Sequence, residues 1–391
     1  MSEIEILYLV LAVVYLWECA CWSPRGAFAF TSWFGTNWRG RHPAAWFGNQ
    51  KGGFVLGPPL PPLGHMLVSY PLPFSISPEG LATSPGEVPP AIVRFDNIQT
   101  LKAKGKKLLI NGSPFAIFAS PTSALRFLSR LEQLRRLPPK GREGEVRKLL
   151  QQAFNTHTIK KRWRHFDLST RTLRTLANFL FWFLFLFCPV VIWRFGLRLS
   201  WPGLVAGLVG LTASIAFVAR SLHRRFYPAA TEERFNLFII LLLAPASAIR
   251  ACDALSRPLL EEFHPLAVAR LLSKGDDFHE LAAQSLRELK YPDFAPAQSG
   301  NAAIAPCAGQ FQRLLLEIME DFLKRNGISA QALLAAPEPL DATCLSYCPR
   351  CLSQFTQAQG HCPDCRTVQL ISLRPSPRSG KLPAQPACKT G

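Results

Sequence analysis

Four apolar runs, at residues 4–22, 176–193, 201–219 and 235–249, alternate with segments crowded by Lys and Arg. That alternation predicts membrane helices rather than one large globular core, because a span needs about 20 apolar residues and basic residues gather on the cytoplasmic flank. The run 176–193 is dense in rings, from Phe179 and Phe181 to Phe187, and 201–219 is lighter, with Gly203, Gly207, Gly210 and Ser214 placed for close helix approach. The link between them carries only Arg194 and Arg198. The flanks carry more: Lys160, Lys161, Arg162, Arg164, Arg171 and Arg174 before the pair, and Arg220, Arg224 and Arg225 after it. Residues 176–219 therefore predict a transmembrane hairpin with both ends cytoplasmic.

The outer two runs are shorter. The first meets Glu18 and is preceded by acid without base, so 1–22 reads as an uncleaved N-terminal anchor with its N-terminus outside. The fourth reaches Pro245, and 235–249 is expected either to span or to re-enter. None of the runs holds a central charged residue, which argues against a transporter or channel.

Between the first and second runs, 23–65 mixes Trp33, Trp38 and Trp46 with Arg39, Arg41 and Lys51, then passes into the proline run 57–64, which suits an interfacial segment followed by an extended spacer. Residues 66–139 predict short strands closed by a helix: 98–103 and 107–110 around Lys104-Gly105-Lys106, a turn at Asn111-Gly112, a strand over 114–119, then Ser120 as helix cap before Pro121. Strands closed by one C-terminal helix resemble the pleckstrin-homology-like architecture, and the resemblance implies a small β-rich domain. Lys102, Lys104, Lys106 and Lys107 read as a solvated turn facing lipid, with the holding of a phosphoinositide-like or other anionic headgroup as the alternative. Residues 140–175 form a basic amphipathic juxtamembrane segment, with Val146, Leu149, Leu150 and Phe154 expected along the membrane surface. Residues 250–340 predict a helical domain, its last helix placing Phe311, Leu314, Leu315, Ile318, Met319, Phe322 and Leu323 on one face. The fold class is thus an α-helical integral membrane protein with a small β-rich domain and a C-terminal helical region.

A net charge of +18 reflects the basic flanks and implies contact with the bilayer and its anionic lipid headgroups; nucleic acid is the less favoured partner. The basic domains are placed in the cytoplasm, at the inner membrane of a bacterium. The eleven cysteines are scattered, Cys188 inside a span and Cys19 and Cys21 at the end of another, which points to a reduced compartment rather than a disulfide framework.

One spacing carries specific chemistry. Cys348-Pro-Arg-Cys351 and Cys362-Pro-Asp-Cys365 repeat one knuckle, and two such knuckles can close a tetrahedron of thiolates around a single ion. Residues 341–373 are similar to zinc-ribbon and rubredoxin-like folds, which implies structural zinc on Cys348, Cys351, Cys362 and Cys365 with no position open for water. Cys344 reads as a spectator, and the tail 374–391 as disordered and basic. Elsewhere His279-Glu280 begins a His-Glu-x-x-His helix motif, but Ala283 stands where the second His is needed. Glu261, Glu262, His264, Asp276, Asp277 and His279 read as a solvated helix surface. No catalytic motif stands out. The expected function is a membrane-anchored adaptor or assembly protein with a protein partner; alternatives are a membrane enzyme or a nucleic-acid- or ribosome-contacting protein.

Overall fold

The structure, a computed structural model, describes residues 3–21, 27–32, 54–55, 64–69, 74–83, 92–118, 120–272, 275–291 and 304–373. Most of the 23–65 segment and all of the 374–391 tail lie outside the described residues. The chain is mostly helical with small antiparallel sheets, and it divides into two compact units, each assembled from separated stretches.

The first unit comprises 1–73, 99–136 and 155–277. Its central feature is a pair of long apolar helices, Arg171–Phe195 and Leu197–Phe226, of 25 and 30 residues. At 1.5 Å per residue both exceed the about 30 Å of a bilayer core. They are joined at Gly196, whose φ of 74° supplies a left-handed turn that a side chain resists. Inside the first helix the turn Phe183–Phe187 widens to a π-helix just before Pro189, which has no N–H to return to the Phe185 carbonyl. The Tyr8 hydroxyl, from the helix Glu3–Cys21, donates to that carbonyl at 3.4 Å. After the pair, the helix Thr231–Leu243 folds back along the second long helix, with Phe238 packed against Phe217 at 5.3 Å. It has 13 residues and ends before Pro245. Its length is about 20 Å, short of a full crossing.

The sheet Leu101–Lys104, Lys107–Ile110, Ser113–Ile117 also belongs to this unit. The expected turn forms at Asn111 and Gly112, both at positive φ, with the Asn111 carboxamide oxygen accepting from the Gln99 and Thr100 amides. Ser120 caps the helix Pro121–Arg136 by accepting from the Ser123 amide, and Ala124, Phe127, Leu131 and Leu134 are buried.

The second unit comprises 74–98, 137–154 and 278–391. Its strands Phe74–Ile76, Gly80–Thr83 and Ile92–Arg94 form a separate antiparallel sheet. The strands expected around 98–119 pair with one another in a single meander, whereas the earlier part of 66–139 does not join it: Gly64–Ser69 pairs with Ala27–Ser32, and the strands of 74–94 form their own three-stranded sheet. One reason is Arg142 of the helix Pro139–Ala153, a buried guanidinium that stacks over Phe95 and pairs with Asp96 at 3.0 Å, fixing the end of the 92–94 strand inside this unit. The apolar face of that helix, expected to rest on a membrane surface, is covered by protein instead. Val146, Leu149 and Leu150 are buried, and Phe154 packs on Phe322 of the helix Ile304–Arg325. Ile318, Met319, Phe322 and Leu323 of the latter are buried, as their periodicity predicts.

Candidate metal centre

The C-terminal segment 341–373 builds its site on a three-stranded antiparallel sheet, with Ser346–Tyr347 in the middle, Gln354–Phe355 on one side and Ile371–Ser372 on the other. The chain leaves Tyr347 and returns at Gln354 through the first knuckle. There the Leu352 amide donates to the Cys348 carbonyl and the Cys348 amide to the Ser353 carbonyl, each at 2.9 Å. The second knuckle is closed by the Cys362 amide on the Val368 carbonyl at 2.9 Å and by a bridge between His361 and Gln369. Gly360, at φ 138°, starts this second turn, and its carbonyl accepts from Leu370. In both knuckles the residue after the second cysteine takes a left-handed conformation: Leu352 at φ 63° and Arg366 at φ 48°.

These two turns bring Cys348, Cys351, Cys362 and Cys365 together, with all four sulfur atoms within 4.8 Å of one another. The Sγ atoms of Cys351 and Cys362 are 3.6 Å apart, close to the spacing of thiolates each about 2.3 Å from a shared tetrahedral ion. Cys348, Cys362 and Cys365 are buried with Phe355, Val368 and Leu370 in a small core, and Cys351 is exposed. Cys344 packs with Tyr347 and Leu373 in a different cluster, outside the group of four.

The electrostatics suit a cation. Burial pushes the Cys348 thiol up to about 11, although the Arg350 and Cys351 amides point at its sulfur. Burial and the neighbouring sulfurs also raise Cys365. At Cys351 burial pulls the same way, but the Ser353 hydroxyl and amide and the adjacent thiols outweigh it and hold this thiol below its ordinary value. Four sulfurs at this spacing cannot all be thiolates without a compensating charge, and a soft divalent ion such as zinc supplies one.

The site is supported from behind. Gln354 is buried and clamps the preceding segment, accepting from the Leu340 amide at 2.8 Å and donating to the Glu338 carbonyl at 2.7 Å. Tyr291, just past the helix Gly275–Lys290, packs on the four-sulfur core, and its carbonyl accepts from Arg350 at 3.4 Å.

The other sequence candidates do not assemble into a metal site: among the described residues the four cysteines form the sole such group. His279 and Glu280 are exposed, and the side chains of Asp276 and Asp277 lie outside the described residues. Glu261 and Glu262 are not a solvated surface. Glu261 is buried and accepts from the Ser120 and Ser123 hydroxyls, and Glu262 is held by Arg126, Arg130 and Arg162. Their partners sit 100 or more residues away in sequence, so no local pattern announces them. No family model, no curated protein and no solved structure matches this chain.

Proposed function

We propose that the chain is a membrane-anchored adaptor whose C-terminal segment is a structural zinc ribbon that presents an interaction surface on the cytoplasmic side. The observation that carries this reading is the closure of the four-sulfur cluster: every ligand position of a tetrahedral ion is a cysteine, so no coordination place remains for water or substrate. Zinc, when bound, neutralises the thiolates and cross-links two turns. The 33-residue stretch around it has two small clusters and two-residue strands, too little to hold itself together.

The membrane anchor is supported by what covers the long helices. Only 33% and 22% of their most apolar windows is buried by protein, whereas the core helix of a soluble domain is mostly covered. Phe179, Trp182, Trp193, Leu199, Trp201 and Phe217 all face outward. Trp193 and Trp201 flank the link that carries Arg194 and Arg198, where an aromatic belt belongs. Because the helix Thr231–Leu243 falls short of a crossing, the chain after it stays on the side of the basic flanks, which keeps the cysteines in a reducing compartment. A hydrolytic or redox enzyme would need an open ligand or a single reactive pair, and the duplicated knuckle offers neither.

The test is a chemical crosslinking experiment on intact cells with the full chain and with C351S/C362S. Protein crosslinks that depend on the intact ribbon support the adaptor. Crosslinks confined to RNA or DNA, or none that respond to the cysteines, overturn it. A reporter fused at the C-terminus reads cytoplasm if the topology holds.

A further inference from the structure

A cluster of arginines in the first unit lies beside the segments that lead into and out of the two long helices. Three guanidinium groups converge on one carboxylate. Arg130 Nη2 lies 3.1 Å from Glu262 Oε2, Arg126 Nη1 lies 3.9 Å from Oε1, and Arg162 Nη1 contacts Oε1 directly. Arg126 also donates to the Pro258 carbonyl at 3.1 Å. Each guanidinium carries five N–H donors in a planar fork, so these contacts leave most of the donors unused.

Exposure separates the carboxylate from the arginines. The Glu262 side chain is 6% exposed, and those of Arg126, Arg130 and Arg162 are 33%, 33% and 35% exposed. The carboxylate is the floor, and the arginine side chains form a partly exposed rim. Three cations meet Glu262 directly, and the carboxylates of Glu261 and Glu233 close by offset part of their charge. The nearby Glu261 and Glu233 each accept through Oε2, from Ser120 and Ser123 and from Thr122 respectively, so what favours an anion here is the set of open guanidinium forks rather than net charge.

Position narrows the ligand. Arg162 lies on the helix Thr156–Ser169, which bends at Thr170 straight into the first long apolar helix. The Arg126 guanidinium lies 6.0 Å over the ring of Tyr227, the residue that follows the second one. Aromatic faces back the other two forks as well, Phe127 behind Arg130 and Phe263 behind Arg162, which holds planar groups in fixed directions.

We propose that Arg126, Arg130 and Arg162 form a binding site for a phosphate group, with Glu262 as the internal anion that holds the three forks open. Paired N–H donors match phosphate oxygens two at a time, which a lysine cannot do. At the end of two apolar helices the phosphate of an anionic lipid headgroup has this chemistry, and so has a soluble phosphate. The headgroup source rests on the membrane reading above; the arginine site itself does not.

The experiment uses the purified full chain in phosphatidylcholine nanodiscs, with calorimetric titration of inorganic phosphate and, separately, native mass spectrometry of discs doped with phosphatidic acid. The site predicts that R130Q/R162Q weakens phosphate binding at least tenfold, that R130K/R162K gives an intermediate loss, and that K102Q/K104Q changes nothing. Removing the internal competitor with E262Q should strengthen binding several-fold, an effect that a purely structural ion cluster would not give. Retention of phosphatidic acid alone assigns the headgroup; a response to inorganic phosphate alone assigns a soluble ligand. Binding of neither, or binding indifferent to both the arginine pair and E262Q, overturns the site. If the Gln pair does not fold, the Lys pair and E262Q decide. Failure of the chain to insert into phosphatidylcholine discs would remove the membrane reading, and the inorganic phosphate titration would still test the arginines.

Discussion

The ring of Phe183 occupies the space that a side chain at Gly207 would take: a Cβ there would come within 2.8 Å of Phe183 Cζ. Phe183 opens the π-helical turn of the first long helix, and Gly207 lies on the second, so an aromatic ring on one arm is seated on bare backbone of the other. The neighbouring Gly203 and Gly210 meet nothing within 4 Å. Close packing of small residues drives helix association where lipid removes the hydrophobic incentive. Gly207→Val should therefore separate the arms, with a loss of about 1–3 kcal/mol typical of overpacking, whereas Gly210→Ala should be silent. Thermal unfolding in detergent, monitored by Trp fluorescence, distinguishes the two; equal sensitivity at both positions would contradict this packing.

Metal content follows from the sulfur geometry. The purified chain should hold about one zinc, because the four ligands form one tetrahedron, and C351S or C362S should abolish it by elemental analysis. Binding must displace protons, and Cys348, held up to about 11 by burial, retains its proton at neutral pH until the metal arrives. Affinity should accordingly rise with pH and fall on acidification, since low pH favours the protonated, metal-free thiols. A zinc affinity independent of pH between 6 and about 8 would contradict thiolate ligation.

How much of this was legible in the sequence depended on distance along the chain. The knuckles are local, and Cys-Pro-x-Cys written twice announced them; so did Asn111-Gly112 for its turn and Ser120-Pro121 for its helix start. The Glu262 cluster was invisible because Arg130 and Arg162 reach it from 132 and 100 residues away and Arg126 from farther still, and a charged pair on a helix looks solvated until its partner is known. The meander over 101–117 was legible, but the separation of the earlier 74–94 strands from it was not, for the same reason. The segments around 74–94 and 101–117 are neighbours in sequence, but Arg142, with its hold on Phe95 and Asp96, draws the first into the other unit.

Gln354 offers a test of the ribbon's support that leaves the ligands untouched. Its carboxamide holds the Leu340 amide and the Glu338 carbonyl at once, and the residue is buried. Gln354→Leu preserves volume but strands both backbone groups, at about 1–3 kcal/mol each if they stay dry. The expected result is unchanged zinc stoichiometry with faster amide hydrogen exchange across 336–341. Unaltered exchange there would show that the clamp contributes nothing.

The left-handed residues separate conformational strain from coordination. Leu352 at φ 63° and Arg366 at φ 48° stand at equivalent places in the two knuckles, and a β-branched side chain disfavours that region most. Leu352→Val and Arg366→Val should each cost about 1–3 kcal/mol, while Arg366→Gly should be neutral or stabilising, because glycine enters this region freely. Leu352 also packs against the cluster of Cys344, Tyr347 and Leu373, so its glycine variant should lose on packing what it gains on strain. Zinc release rates in the presence of a chelator read the effect directly: both valine variants should release faster than wild type, and Arg366→Gly no faster. If valine at either position left the rate unchanged, the reversal after each second cysteine would not be needed to close the site.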